Sequence, residues 1–204
     1  MTNQDFYSKL SELKPVIELI KDEAHEIHQS VNQTYDKVHP YGFHLDMVAS
    51  FVFKYASEVC SSMEDILPIV FAAFFHDSIE DARLTYNDVT EIAEKYMNPT
   101  QAFLAAEIVY ALTNDKGRTR KERAGDKYYK GIRSTPYAPC VKLADRLANT
   151  YYSYANSNPE NSHMKDVYKA EMPHFLQQLK PDNNDDIRFE LPQKMIDELK
   201  QLIA

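Results

Sequence analysis

Four glycines in 204 residues leave this chain few places for the tight turns on which sheets and hairpins depend. The usual share is about 7%, so the scarcity points to helices joined by short links. Periodicity agrees. Leu10, Leu13, Val16, Ile17, Ile20, Ala24 and Ile27 recur at threes and fours, which predicts a first helix over 5–33. His39-Pro40-Tyr41-Gly42 then punctuates the chain, and a second helix is expected from about His44 to Val59. Ser62, with Asp65 three residues on, offers a cap for a third helix whose buried body runs from Leu67 to Asp81. Thr85 with Asp88 opens a fourth over 86–97, and Thr100, after Pro99, a fifth through Leu112. The segment 118–133 reads as helical but poor in apolar residues, hence exposed and mobile. Pro136 and Pro139 open a long helix through Ala155, and residues 163–179 form another. Pro181 to Asp186 is a polar linker, and Gln193 to Ile203 closes the chain as a short amphipathic helix. The expected architecture is all-α. A single helical-bundle domain spans 1–180, and the linker and last helix, 181–204, pack on the same domain.

A hydrophobic share of 44% with 26% charged residues is ordinary for a globular protein, and the length suffices for a sizeable core. Cys60 and Cys140 have no framework spacing, which fits a reducing compartment. The first residues show neither a basic nor an apolar leader segment, and no apolar run reaches the ~18 residues of a membrane span. A cytoplasmic protein without a membrane partner is expected. The net charge of −8 weighs against nucleic-acid binding. That charge is uneven, however. Lys116, Arg118, Arg120, Lys121, Arg123, Lys127, Lys130 and Arg133 crowd one segment with only Glu122 and Asp126 between them. Two readings stand side by side: a solvated helix face, or a grip on phosphate groups.

The apolar run Ile66–Phe75 leads straight into His76-Asp77, with Glu80-Asp81 one turn later. Burying such groups is costly unless they are paired or hold a metal. On a helix His76 and Glu80 share one face and Asp77 and Asp81 the next, so all four would border one cavity. Downstream, Lys142, Asp145, Arg146 and Asn149 form a single polar stripe among the apolar Val141, Leu143, Ala144, Leu147 and Ala148. One such stripe fits an ion-pair network; two on separate core helices favour a site. With His44 the chain offers two imidazoles and two carboxylates, enough for a hard or borderline divalent cation. Metal-assisted hydrolysis is the chemistry these parts suit, with a carboxylate such as Glu80 aligning the nucleophile. Lys142 and Arg146 could neutralise phosphate, although Arg146 could equally be a structural partner of Asp145.

His44, His76-Asp77 and Asp145 resemble the H…HD…D signature of the HD-domain phosphohydrolases. His76-Asp77-x-x-Glu80-Asp81, followed by Lys142-Leu-Ala-Asp145-Arg146-x-x-Asn149, is similar to the hydrolase domain of RelA/SpoT proteins and small alarmone hydrolases. The likeness covers roughly residues 20–180. It implies a helical HD domain that holds Mn²⁺, or another divalent metal, through His44, His76, Asp77 and Asp145. It also implies removal of the 3′-pyrophosphate from guanosine tetra- or pentaphosphate, with Glu80 and Asp81 orienting and activating water and Asn149 on the nucleoside side. Two departures stand out. The basic stretch that the family carries before its first His is here Gln33 to Tyr41, with Lys37 its lysine, and Tyr151 replaces an Arg that would contact nucleotide. The basic segment is then the candidate source of phosphate contacts, Lys116, Arg118 and Arg123 foremost, and Tyr152 a candidate to stack on a base. No His lies between His76 and His163, which favours one metal per chain. Another HD-type nucleotide phosphohydrolase, such as a monophosphatase, stays open, as does a silent nucleotide-binding module, although the intact Glu80-Asp81 pair argues against the latter. His25, His28, His163 and His174 read as solvated, and His39 as a turn residue.

Overall fold

Pro15 splits the N-terminal helix that periodicity alone draws as one. A computed structural model, which describes residues 1–114, 118–155, 159–181 and 185–204, has α1 over Asn3–Glu12 and α2 over Lys14–Ser30, meeting at Leu13. A proline inside a helix lacks the N–H and crowds the preceding turn, whereas in the first turn neither matters. Thr2 and Asp5 start α1 with a capping box. Buried Phe6 of α1 and Ile17, Ile20 and Ala24 of α2 face the core.

α3 spans Gly42–Tyr55, ends in a 3₁₀ turn at Ala56–Glu58, and is followed by a second such turn at Met63–Asp65. Ser62 caps that turn through the Glu64 amide rather than through a box with Asp65. α4, Ile66–Phe75, is buried at every residue. It stops well short of Asp81. The His76 ring takes up the Ala73 carbonyl at 2.9 Å, the last turn tightens to a Ser78–Phe75 backbone bond at 2.9 Å, and 76–82 runs as successive turns.

α5 (Tyr86–Ala93) and α6 (Pro99–Leu112) both begin with capping boxes, Thr85 with Asp88 and Asn98 with Gln101. The basic segment forms α7 (Arg120–Arg123) and α8 (Asp126–Arg133), with Gly125 at the cap of the latter. It is not the exposed arm that its charge suggests: Tyr128, Tyr129 and Ile132 are buried and seat α8 against α6 and the next helix, α9 (Ala138–Ala155). α10 covers Pro159–Leu179 and α11 Gln193–Ile203, the latter with the bounds its amphipathic pattern predicts. α4 and α9 form the centre. α2, α3 and α6 pack around α4, while α3, α8, α10 and α11 surround α9, with Met195 and Leu199 of α11 buried. Among the described residues there is no strand, only an isolated bridge from Thr34 to Pro40 that closes the loop before α3. None of the described helices is long and apolar enough to cross a membrane. The architecture is all-α.

Candidate metal centre

α3, the end of α4 and α9 bring four side chains to one point. His44 Nε2 lies 3.2 Å from His76 Nε2, 3.4 Å from Asp145 Oδ1 and 3.7 Å from Asp77 Oδ2. His76 Nε2 is 2.9 Å from Asp77 Oδ2 and 3.9 Å from Asp145 Oδ1. Both imidazoles are buried. His76 Nδ1 faces the Ala73 carbonyl, which only accepts, so Nδ1 carries a proton and Nε2 is the nitrogen that faces the others. Two ring nitrogens and two carboxylates aimed at one buried point form the donor set of a divalent cation. Donor atoms of His44, His76 and Asp145 all lie within 4.8 Å of one another, which suits a metal site. Asp77 Oδ2 stands beside them and accepts from the Tyr41 hydroxyl.

The local field favours positive charge. Burial alone would raise the Asp145 carboxyl, but Lys142 Nζ, 2.8 Å from Oδ2, and the two imidazoles hold it well below the usual carboxylate range. Asp77 is likewise lowered against its burial, chiefly by His76. Burial would lower His76, yet Asp77 and Asp145 push it up to about 9. Asn149 Nδ2 adds a hydrogen bond to Asp145 Oδ1 at 2.6 Å.

The acidic pair is arranged differently from the one-helix picture. Because 76–82 is a run of turns, the four charged groups do not line successive helix faces. Glu80 is exposed, and both of its oxygens accept from Asn114 Nδ2, at 2.9 and 2.8 Å. Asp81 is half-buried, and burial and neighbouring Asp77 raise its carboxyl. A cleft of about 140 Å³ opens beside the centre, lined by Asn114, Arg123, Lys142, Asp145, Arg146 and Asn149 together with tyrosines 128, 129 and 168.

Several expected contacts are thereby placed. Lys142 is the partner of Asp145, and its ammonium lies 5.7 Å over the Tyr128 ring. Arg146 is not that partner: it reaches Glu171 of α10 at 2.8 Å and stacks on Tyr168 and Phe175. Arg123 lines the cleft. Arg118 is exposed and outside that lining, and its backbone amide donates to Glu122. Lys116 lies outside the described residues. Tyr152 is buried, donates its hydroxyl to Asp36, and meets Tyr35, His39 and Phe43 edge-on.

Sequence reasoning missed Tyr35, Tyr41 and Asn114, and it misplaced one histidine. His28 is not solvated but 1% exposed, stacked on Tyr41 at 4.6 Å, and neither ring nitrogen has a hydrogen-bond partner among the described residues. Ile20, Ala24 and His28 follow one another at i, i+4 on the apolar stripe of α2, a signal that was there to be read. His25 is half-buried and pairs with Asp46 at 3.0 Å, while its ring is so close to Gly42 that a Cβ there would meet it at 2.8 Å. His163 and His174 are exposed, as expected.

No family model matches the chain. Over 110 residues it is 31% identical to the guanosine-3′,5′-bis(diphosphate) 3′-pyrophosphohydrolase MESH1 of Drosophila melanogaster, a stretch covering 54% of this chain and 54% of that protein. The chain thus matches about half the length of this curated relative. A solved structure described as a metazoan ortholog of SpoT that hydrolyses ppGpp and plays a role in starvation responses superposes with a TM-score of 0.59. That superposition covers 93% of this chain and 97% of the other at 22% identity, so the two share a fold.

Proposed function

We propose that this chain is an HD-type metal-dependent phosphohydrolase that removes the 3′-pyrophosphate from guanosine tetra- or pentaphosphate. One divalent ion, manganese in first place, is held by His44, His76, Asp77 and Asp145. The observation that carries this reading is the convergence of two imidazole Nε2 atoms and two carboxylates from three elements, in a chain similar over 110 residues to an enzyme named for that reaction. When bound there, a divalent ion would lower the pKa of the attacking water and polarise a phosphoryl oxygen.

The chain's own residues supply the remaining steps. Glu80, steadied by Asn114, orients the attacking water and accepts its proton. Asp81, whose carboxyl is raised, stands next to it to carry a proton toward the departing ribose 3′-oxygen, and pyrophosphate leaves with the phosphorus that the water has attacked. Arg123, Lys142, Arg146 and Asn149 line the cleft and are its candidate substrate contacts. The cleft shares Asn114 and Tyr128 with a neighbouring hollow of about 480 Å³, which gives room for a ligand of nucleotide size. Two buried, free thiols suit the reducing cytoplasm as the place of action.

The test is a panel of nucleotides bearing a 3′-pyrophosphate, a 3′-monophosphate or neither, incubated with Mn²⁺ and resolved by anion exchange. Pyrophosphate and the matching guanosine 5′-di- or triphosphate should form from the 3′-pyrophosphates. Glu80→Gln should keep the metal and lose turnover by about 10²–10⁴. Orthophosphate released from monophosphates, with every 3′-pyrophosphate left intact, would replace this reading by a monophosphatase.

A further inference from the structure

The two histidines of the centre are held by different means. His76 has the usual arrangement of a metal-binding imidazole, its far nitrogen tied to a backbone carbonyl and its near nitrogen aimed at the site. His44 lacks that tie, because its buried Nδ1 has no hydrogen-bond partner among the described residues. What lies flat against its ring is Tyr35, at 4.9 Å between centroids and 7° between planes.

Tyr35 also reaches the second metal-binding helix. Its hydroxyl donates to Asn149 Oδ1 at 2.9 Å, and Asn149 Nδ2 donates in turn to Asp145 Oδ1 at 2.6 Å and to the Asp145 carbonyl at 3.1 Å. A carboxylate only accepts, so the amide must point its nitrogen at Asp145 and its oxygen at Tyr35. The loop that presents Tyr35 is itself fixed. Thr34 bridges to Pro40, and Asp36 accepts from the amides of Val38 and His39 and from the Tyr152 hydroxyl.

We propose that Tyr35 is a positioning residue of the metal centre, setting the ring plane of His44 by stacking and the rotamer of Asp145 through Asn149. The proposal rests on the reading of His44, His76, Asp77 and Asp145 as metal ligands. In this chain an aromatic face does for His44 what a backbone carbonyl does for His76. Both hydrogen bonds of Asn149 Nδ2 accordingly serve a metal ligand.

Isothermal titration with Mn²⁺ alone, on wild type, Tyr35→Phe and Tyr35→Leu, separates the two contacts. Tyr35→Leu loses stack and hydroxyl together and should bind Mn²⁺ about 10–100-fold more weakly, the usual effect of removing a group that orients a metal ligand. Tyr35→Phe keeps the stack and should fall between that variant and wild type. The visible spectrum of the Co²⁺-loaded protein should shift in Tyr35→Leu, a change that loss of stability alone does not produce. Wild-type Mn²⁺ affinity in both variants overturns the proposal, as does wild-type affinity in Tyr35→Phe if Tyr35→Leu does not fold by circular dichroism. A wild-type protein that binds no divalent metal overturns the metal-centre reading instead.

Discussion

His28 shows how one residue can set the pH response of a chain whose chemistry lies elsewhere. Burial lowers its pKa from 6.5 to about 4, outweighing the attraction of Asp77, while the neighbouring His76, His44 and His25 act in the same direction as burial. Between those two values the unfolded chain takes up a proton that the folded chain refuses. Stability therefore falls as pH drops from about 6.5 toward about 4, by as much as about 3 kcal/mol from this residue. His28→Phe, which keeps an aromatic ring against Tyr41, should flatten that slope, as read by urea midpoints at pH 7 and pH 4.5. An unchanged slope would assign the effect to other groups. His76 and Asp77 were legible because burying such a pair at the end of an apolar run is costly, and the resemblance to the H…HD…D signature added His44 and Asp145. His28 was overlooked although it continues the Ile20, Ala24 stripe, because the neighbouring polar residues Glu26, Gln29 and Ser30 make that end of the helix read as surface.

At the level of elements, hydrophobic periodicity located the helices better than it located their ends. It drew through Pro15 and carried α4 on to Asp81, since a repeat of threes and fours records which face is apolar but not which backbone groups have partners. The basic segment misled in the other direction. Its charges concealed Tyr128, Tyr129 and Ile132, the stripe by which α8 is buried. That anchoring brings α7 to the cleft, and Arg123 with it. Arg123→Ala should therefore raise KM for a 3′-pyrophosphate several-fold, leave kcat near wild type and weaken the salt dependence, because a screened contact with phosphate acts on binding. Arg118→Ala, whose side chain lies outside the cleft lining, should do less. Equal and negligible effects on KM would return the whole segment to a solvated helix face.

For the molecule as a whole, a cation that joins α3, α4 and α9 would cross-link the helices around which the others pack. At 100 times its dissociation constant a bound metal stabilises by about 2.7 kcal/mol, and each kcal/mol moves Tm by about 2–4 °C in a chain of this size. Removing the metal with a chelator should thus lower Tm by about 5–10 °C, measured by scanning calorimetry with and without Mn²⁺, and the shift should vanish in Asp145→Ala. Glycine scarcity and helical periodicity were enough to infer an all-α bundle, because each signal is local, and it was the resemblance to the H…HD…D signature that implied His44, His76, Asp77 and Asp145 as ligands. Several partners of the site residues were beyond reach. Tyr35 meets Asn149 across 114 positions and Tyr41 meets Asp77 across 36, while Glu80 finds Asn114 across 34. Such pairs exist because α3 packs on α9 and on α4, and α4 on α6. No periodicity within a single helix records which side chains that packing will bring together.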